Sequence, residues 1–125
     1  MSSPITFELA DGIATARPKL RVDVDAFIRQ VADAVREARA RGHAKLIVDT
    51  NGLEFGFETA SIAARFDAAT AWAEASGGKV ALALVLRRDL IDPHGFTPTS
   101  AAMAGLKYMP FDDEARARAW LAGLA

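Results

Sequence analysis

Apolar and polar residues alternate at the start of the chain. Residues 5–9 place Ile5, Phe7 and Leu9 on one side, a pattern typical of a half-buried strand. The dipeptide Asp11-Gly12 follows and is favoured in tight hairpin turns. Residues 13–17 indicate a second strand. We therefore predict that the chain begins with an antiparallel hairpin.

Two amphipathic helices and two continuous apolar strands come next. Apolar residues recur at spacings of three and four in both helices, which is the spacing of one helix face. They are Val24, Phe27, Ile28, Val31 and Val35 in the first helix, and Ile62, Phe66, Ala69 and Ala73 in the second. Gly42 and the pair Gly77-Gly78 are predicted to end these helices. The apolar runs at residues 46–48 and 80–86 are typical of central parallel strands covered on both faces.

The C-terminal third is more polar before it becomes helical again. Residues 87–100 contain two prolines and a glycine and are predicted to be mainly a connection. A short helix is predicted at residues 101–106 and a short edge strand at residues 107–109. The last helix is predicted to be capped by Asp112 and to place Trp120 on its inner face.

These elements give the order β-β-α-β-α-β-α-β-α. That order predicts one α/β domain over residues 1–125, with a mixed, mostly parallel sheet, an N-terminal antiparallel hairpin and flanking helices. The chain has 125 residues and is 51% hydrophobic, which suffices for a core of its own.

The amino-acid composition argues against several classes of function. The net charge is -1, so there is no electrostatic reason to expect nucleic acid as a partner. The chain has no cysteine, which excludes disulfides and thiolate zinc sites. No apolar run approaches the roughly 20 residues of a membrane-spanning helix, and the first residues do not look like a secretory signal. We expect a cytoplasmic protein with no membrane insertion and no cofactor.

Three segments resemble the STAS family, which includes anti-sigma-factor antagonists and small stand-alone bacterial STAS-like proteins. They are residues 45–52, residues 79–86, and residues 109–115 with the closing residues 119–121. The order of elements is also similar to the STAS fold. The resemblance implies a non-catalytic regulatory or protein-interaction domain.

The resemblance does not extend to the regulatory serine. Anti-sigma-factor antagonists carry an Asp-Ser pair after the third strand, which would fall near Phe57-Glu58 in this sequence. Neither residue can be phosphorylated as a serine. Thr59 and Ser61 lie close by, but their simpler interpretation is helix capping. A serine switch is therefore not carried over to this chain.

The strongest candidate site lies at the carboxyl edge of the predicted parallel sheet, where ligands bind in open α/β folds. Residues 54–57 and residues 87–96 should meet there. Two guanidiniums can hold a carboxylate or phosphate, and a histidine titrates near neutral pH. The predicted site residues are Phe55, Phe57, Arg87, Arg88, His94 and Phe96.

Each of these residues also has a simpler interpretation. The charges can solvate the end of an apolar strand, and the aromatic side chains can cover the core, line a pocket or form an exposed patch. Asp49 is interpreted as a turn residue that accepts backbone hydrogen bonds. A metal site with Asp92 and His94 is the less favoured alternative. No nucleophile elbow or glycine-rich phosphate loop is present, so no catalytic residue is assigned.

The function predicted from the sequence is a regulatory or protein-interaction domain with an unknown protein partner. A small-ligand module for a lipid or an anionic metabolite at the carboxyl edge is the alternative. An uncharacterised enzyme is the second alternative, and a homodimer is left open.

Overall fold

A five-stranded sheet forms the centre of the computed structural model. The structure describes residues 6–18, 21–22, 24–51, 54–55, 62–88, 91 and 95–124. In chain order the elements are β1 Glu8–Ala10, β2 Ile13–Ala16, β3 Arg21–Val22, α1 Val24–Ala40, β4 Lys45–Asp49, β5 Glu54–Phe55, α2 Ile62–Ser76, β6 Ala81–Val85, α3 Phe96–Met103, β7 Tyr108–Phe111 and α4 Glu114–Ala122.

The strand order of the large sheet is β1-β2-β4-β6-β7. The pair β1 and β2 is antiparallel, and the other three pairs are parallel. The sequence prediction of a mixed, mostly parallel sheet that begins with a hairpin is therefore confirmed. The two-residue strands β3 and β5 were not predicted; they pair with each other in parallel as a separate small sheet.

Helices cover the large sheet on both faces. On one face, buried residues of α1, α2 and α3 pack against Ala14, Leu46, Val48, Leu82 and Leu84. On the other face, Ala117 and Leu121 of α4 pack against a second group of strand residues, namely Ile13, Ile47, Ala81, Ala83 and Val85. Both faces of β4 and β6 are covered by helices. This burial explains why the sequences of these two strands are continuously apolar.

Helix α2 places only part of the predicted face in the core: Ala69 is buried and Ala73 is partly buried as predicted, but Phe66 is not. Phe66 is 55% exposed, whereas Trp72 is only 2% exposed. The Trp72 indole N–H donates a hydrogen bond to the backbone oxygen of Ile28 in α1, at 3.0 Å. The buried side of α2 also includes Ala68, Ala69 and Ala75. Alanines occur on several sides of this helix, so the pattern alone specified its orientation poorly, and the contact of the tryptophan with α1 decides it.

The predicted helix ends are confirmed for α1 and α2. Gly42 has a φ of 80°, and its N–H donates to Arg39 O at 3.1 Å. The next N–H, from His43, reaches back to Ala38 O at 2.8 Å. These two bonds form the glycine-terminated Schellman motif. After α2, Gly77 and Gly78 likewise have positive φ angles.

The C-terminal elements differ from the prediction in several boundaries. Helix α3 ends at Met103 rather than at residue 106, and β7 covers Tyr108–Phe111 rather than residues 107–109. Helix α3 begins at Phe96 rather than at residue 101. Pro98 does not prevent this earlier start, because it falls in the first turn of the helix, where proline is tolerated. The cap of α4 is Asp113, which accepts from Ala115 N at 2.6 Å and Arg116 N at 3.3 Å. The prediction of Asp112 as the cap was wrong by one residue.

The predicted edge strand exists as β7. It pairs only with β6 in the large sheet, and it contains Pro110. An edge strand accommodates proline because one side of its backbone needs no partner strand.

Candidate functional site

Four parallel strands end at one edge of the sheet. We call the carboxyl edge the surface formed by residues 17, 49–51, 86–88 and 112–114, which lie at the ends of β2, β4, β6 and β7. Hydrogen bonds join the chain segment after β4 to the last residue of β6. Thr50 donates to Val85 O from both its N–H and its hydroxyl, each at 2.8 Å. Thr50 is buried. The two chain segments therefore leave the sheet side by side.

Arg88 forms an ion pair with Asp112 at this edge. Its side chain is 81% exposed, and its Nε and Nη2 lie 2.8 and 2.7 Å from Oδ2 of Asp112. The hydrogen bond from Arg88 lowers the pKa of the Asp112 carboxyl, and the charge of Arg116, 3.6 Å away, acts in the same direction. The Asp112 carboxyl is therefore favoured as an anion beside Arg88. Arg87, beside it, is also exposed.

Arg17 connects β2 with the start of α4. It pairs with Glu8, and its Nη2 lies 2.6 Å from Oε1 of Glu114. The hydrogen bond to Glu8 raises the pKa of Arg17. Glu114 is also 3.6 Å from Arg118, whose Nη2 lies 3.3 Å from the hydroxyl of Thr15. Acids and arginines at this end of the sheet are therefore paired with each other.

Asp49 has the turn role that the sequence indicated. Its Oδ1 accepts a hydrogen bond from the backbone N–H of Asn51 at 3.0 Å. Its Oδ2 lies 3.9 Å from Nε of Arg17. A carboxylate that accepts from the second backbone N–H after it stabilises a tight turn. The turn interpretation is confirmed.

The structure brings only part of the predicted site together. Arg87 and Arg88 lie at the carboxyl edge, as predicted. Phe55 is in β5, and Phe96 is the first residue of α3. The remaining site candidates, Phe57 and His94, lie outside the described residues, as do Glu58, Thr59, Ser61 and Asp92. The convergence of the aromatic residues with the arginines therefore stays a prediction.

A second feature, at the opposite end of the sheet, was not predicted. A cleft of about 220 Å³ lies where β4 and β6 begin and the chain enters β7. Three lysines line it: Lys45, Lys79 and Lys107. The available signal was a lysine at or shortly before the start of three separate strands. It was missed because these positions are about thirty residues apart along the chain.

The described part of the chain contains neither a candidate metal centre nor a candidate membrane span. Its histidines, aspartates and glutamates form no group of three that could hold a metal ion. Within the same part, no helix is long and apolar enough to cross a membrane.

Comparison with known proteins identifies the fold. No protein-family model matches the sequence, and no curated protein matches it. A structural match is the anti-sigma factor antagonist SpoIIAA in its unphosphorylated form, with a TM-score of 0.50 and 14% sequence identity. The match covers 97% of this chain and 100% of that one. At this identity the likeness concerns the fold alone, and it confirms the predicted STAS-like fold.

Proposed function

We propose that this protein is a non-catalytic regulatory domain that binds another protein through its carboxyl edge. The observation that carries the proposal is the ion pair of Arg88 with Asp112 at the carboxyl edge, next to the exposed Arg87. Arginine is enriched among the residues that dominate protein interfaces. A guanidinium already held in one orientation loses less conformational entropy when a partner binds.

The charges of the carboxyl edge favour a protein partner over a small anion. Asp112 already neutralises part of the charge of Arg88, and Arg17 is paired with Glu8 and Glu114. A small phosphate or carboxylate would have to compete with these acids for the guanidiniums. A protein surface can instead meet the alternating charges with complementary ones, which gives specificity and register.

The same contacts support a non-catalytic role. A general base must accept a proton near neutral pH. The pKa of Asp112 is lowered by Arg88, and Asp49 and Asp113 accept hydrogen bonds from backbone N–H groups. These carboxylates serve structure at the edge. The likeness in fold to SpoIIAA, named as an antagonist of an anti-sigma factor, fits a domain that acts by binding a protein.

Affinity capture from the native cytosol, followed by titration of the purified partner, tests the proposal. The test variant is Arg87→Glu with Arg88→Glu. The matched control is Arg29→Glu with Arg36→Glu on the exposed face of α1, where Arg36 pairs with Asp33 as Arg88 pairs with Asp112. We expect the test variant to weaken binding at least tenfold, which corresponds to about 1.4 kcal/mol. The control should bind as the wild type does.

Two outcomes would contradict the proposal. A partner bound equally well by the folded test variant would place the binding surface elsewhere. A small molecule that copurifies with the wild type, is lost from the test variant and is seen by native mass spectrometry without any protein partner would favour the small-ligand alternative.

A further inference from the structure

We propose that the protein has a second binding site, an anion-binding cleft at the amino end of the sheet that takes a small phosphate-bearing group. The amino-end cleft is the cavity of about 220 Å³ lined by Lys45, Lys79, Lys107, Val80, Ala81 and Leu124, among others. It lies at the end of the parallel strands opposite the carboxyl edge. The inference is independent of the function proposed above.

The sheet itself brings the three lysines together. Lys45 begins β4 and is in register with Ala81 of β6. The backbone oxygen of Lys107 accepts a hydrogen bond from Leu82 N at 2.9 Å, which fixes it beside β6 from the other side. Neighbouring strands are about 4.8 Å apart, so β4, β6 and β7 together span about 10 Å. Lysine side chains can reach one ligand across that distance.

Within the described residues, the lysines of the amino-end cleft are not paired with acids. No carboxylate side chain is among its lining residues. Within the described part of the chain, neither Lys79 nor Lys107 forms an ion pair. Lys45 donates one hydrogen bond, to the backbone oxygen of Leu124 at 3.1 Å, and an ammonium has three such donors. The guanidinium of Arg39 lies against Gly77, next to the cleft residue Gly78.

This arrangement differs in kind from the carboxyl edge, where arginines are paired with acids. Like charges gathered around one cavity repel each other, and a bound anion removes that repulsion. The cavity also has an apolar part, to which Val80 and Ala81 contribute, and both of these residues are buried. A charge interaction is stronger beside such low-dielectric surface than in open water.

The size and the residue type define the ligand class. Pockets for drug-sized molecules measure about 300–1,000 Å³, so this smaller cleft suits a compact group. Lysine binds phosphate as a point charge, whereas the planar guanidinium of arginine favours bidentate hydrogen bonds. A phosphate or diphosphate group therefore fits better than a planar carboxylate or an aromatic ligand.

Titration with pyrophosphate at constant ionic strength tests the site, by calorimetry and by the backbone amide spectrum. The test variant is Lys79→Gln with Lys107→Gln. The control is Arg29→Gln with Arg36→Gln, which removes the same number of charges from α1. We expect saturable binding with shifts at residues 44–45, 78–81 and 105–107. Neutralising each lysine should weaken binding about tenfold, the factor given by about 1.4 kcal/mol, and the control should stay within about twofold.

The outcomes show whether these lysines form a binding site or are only solvated by water. They also test this site independently of the function proposed for the carboxyl edge. The proposal is overturned if binding is not saturable, if the shifts lie elsewhere, or if the control loses as much affinity as the test variant. Single changes at Lys79 or Lys107 serve if the double variant does not fold. Binding of pyrophosphate by Arg87→Glu with Arg88→Glu should equal that of the wild type, so either proposal can fail alone.

A second arm identifies the source of the phosphate. Flotation with phosphatidylcholine vesicles that contain phosphatidic acid tests a lipid headgroup. Flotation that is lost in the lysine variant would assign the cleft to a headgroup phosphate, while pyrophosphate binding without flotation would assign it to a soluble phosphorylated molecule. If neither probe binds through these lysines, the site does not exist.

Discussion

The burial of Trp72 leads to a quantitative prediction about stability. Its indole is 2% exposed and contacts two other rings, with centroid distances of 6.0 Å to Phe27 and 5.5 Å to Tyr108. It also donates the hydrogen bond to Ile28 O. The change Trp72→Phe keeps an aromatic ring but removes the N–H and part of the buried volume. This substitution therefore tests how much the packing interface between α1 and α2 contributes to stability.

The expected loss in the free energy of unfolding is about 3 kcal/mol. Replacing indole by phenyl removes roughly three ring atoms, and each buried methylene equivalent is worth about 0.8 kcal/mol. The lost hydrogen bond adds about 1 kcal/mol, near the ordinary net value. Ile28 lies inside α1, where a carbonyl also accepts the helical hydrogen bond, so no unsatisfied acceptor is expected to increase the cost. A total near 3 kcal/mol is a large part of the stability of a small domain.

Trp120 provides the matched control. It is half-buried and packs beside Phe111, with a centroid distance of 6.0 Å. Because part of its ring stays in water, Trp120→Phe should cost about 1 kcal/mol or less. Urea unfolding followed by circular dichroism measures both variants without relying on tryptophan emission. The reasoning is refuted if Trp72→Phe costs under about 1 kcal/mol, or if the two variants lose the same amount.

Two further predictions concern the start of α4. Asp113→Ala should destabilise the protein by about 1 kcal/mol because it removes the side-chain cap, and Asp113→Asn should cost much less; equal losses in urea unfolding would contradict the capping role. The pKa of Asp112, measured by carboxyl-carbon NMR, should lie below its usual value of 3.8 and rise in Arg88→Ala. Since the folded pKa is lowered, ionised Asp112 stabilises the fold above the unfolded pKa, and this contribution disappears as the pH falls through the folded pKa. A smaller rise is expected in Arg116→Ala, and an unchanged pKa in Arg88→Ala would show that the pair does not persist in solution.

Local sequence determined much of the fold. The unbroken apolar runs of β4 and β6 can be stable only if they are covered on both faces, so they predicted the centre of a parallel sheet. Gly42 and Gly77 predicted helix ends because a positive φ is costly for other residues. These signals lie within a few residues of one another and do not depend on distant parts of the chain.

The candidate site depended more on tertiary structure. The sequence could place Arg87 and Arg88 after a parallel strand, and hence at the carboxyl edge. It could not show that Asp112 binds Arg88, because the two residues are 24 positions apart and meet only when β7 pairs with β6. The same contact gives Asp112 a partner outside α4, while its neighbour Asp113 caps the helix.

Two features were decided only by packing. In α2, the apolar spacing wrongly placed Phe66 on the buried face, and the fit of Trp72 against α1 and Tyr108 fixed the rotation of the helix. The amino-end cleft needed the sheet as well, since its lysines stand in three separate segments that the strand order β4-β6-β7 places side by side. Hydrophobic periodicity and helix caps depend on a short stretch of chain. A cleft depends on which strands become neighbours in the sheet, and burial of the whole core determines that strand order.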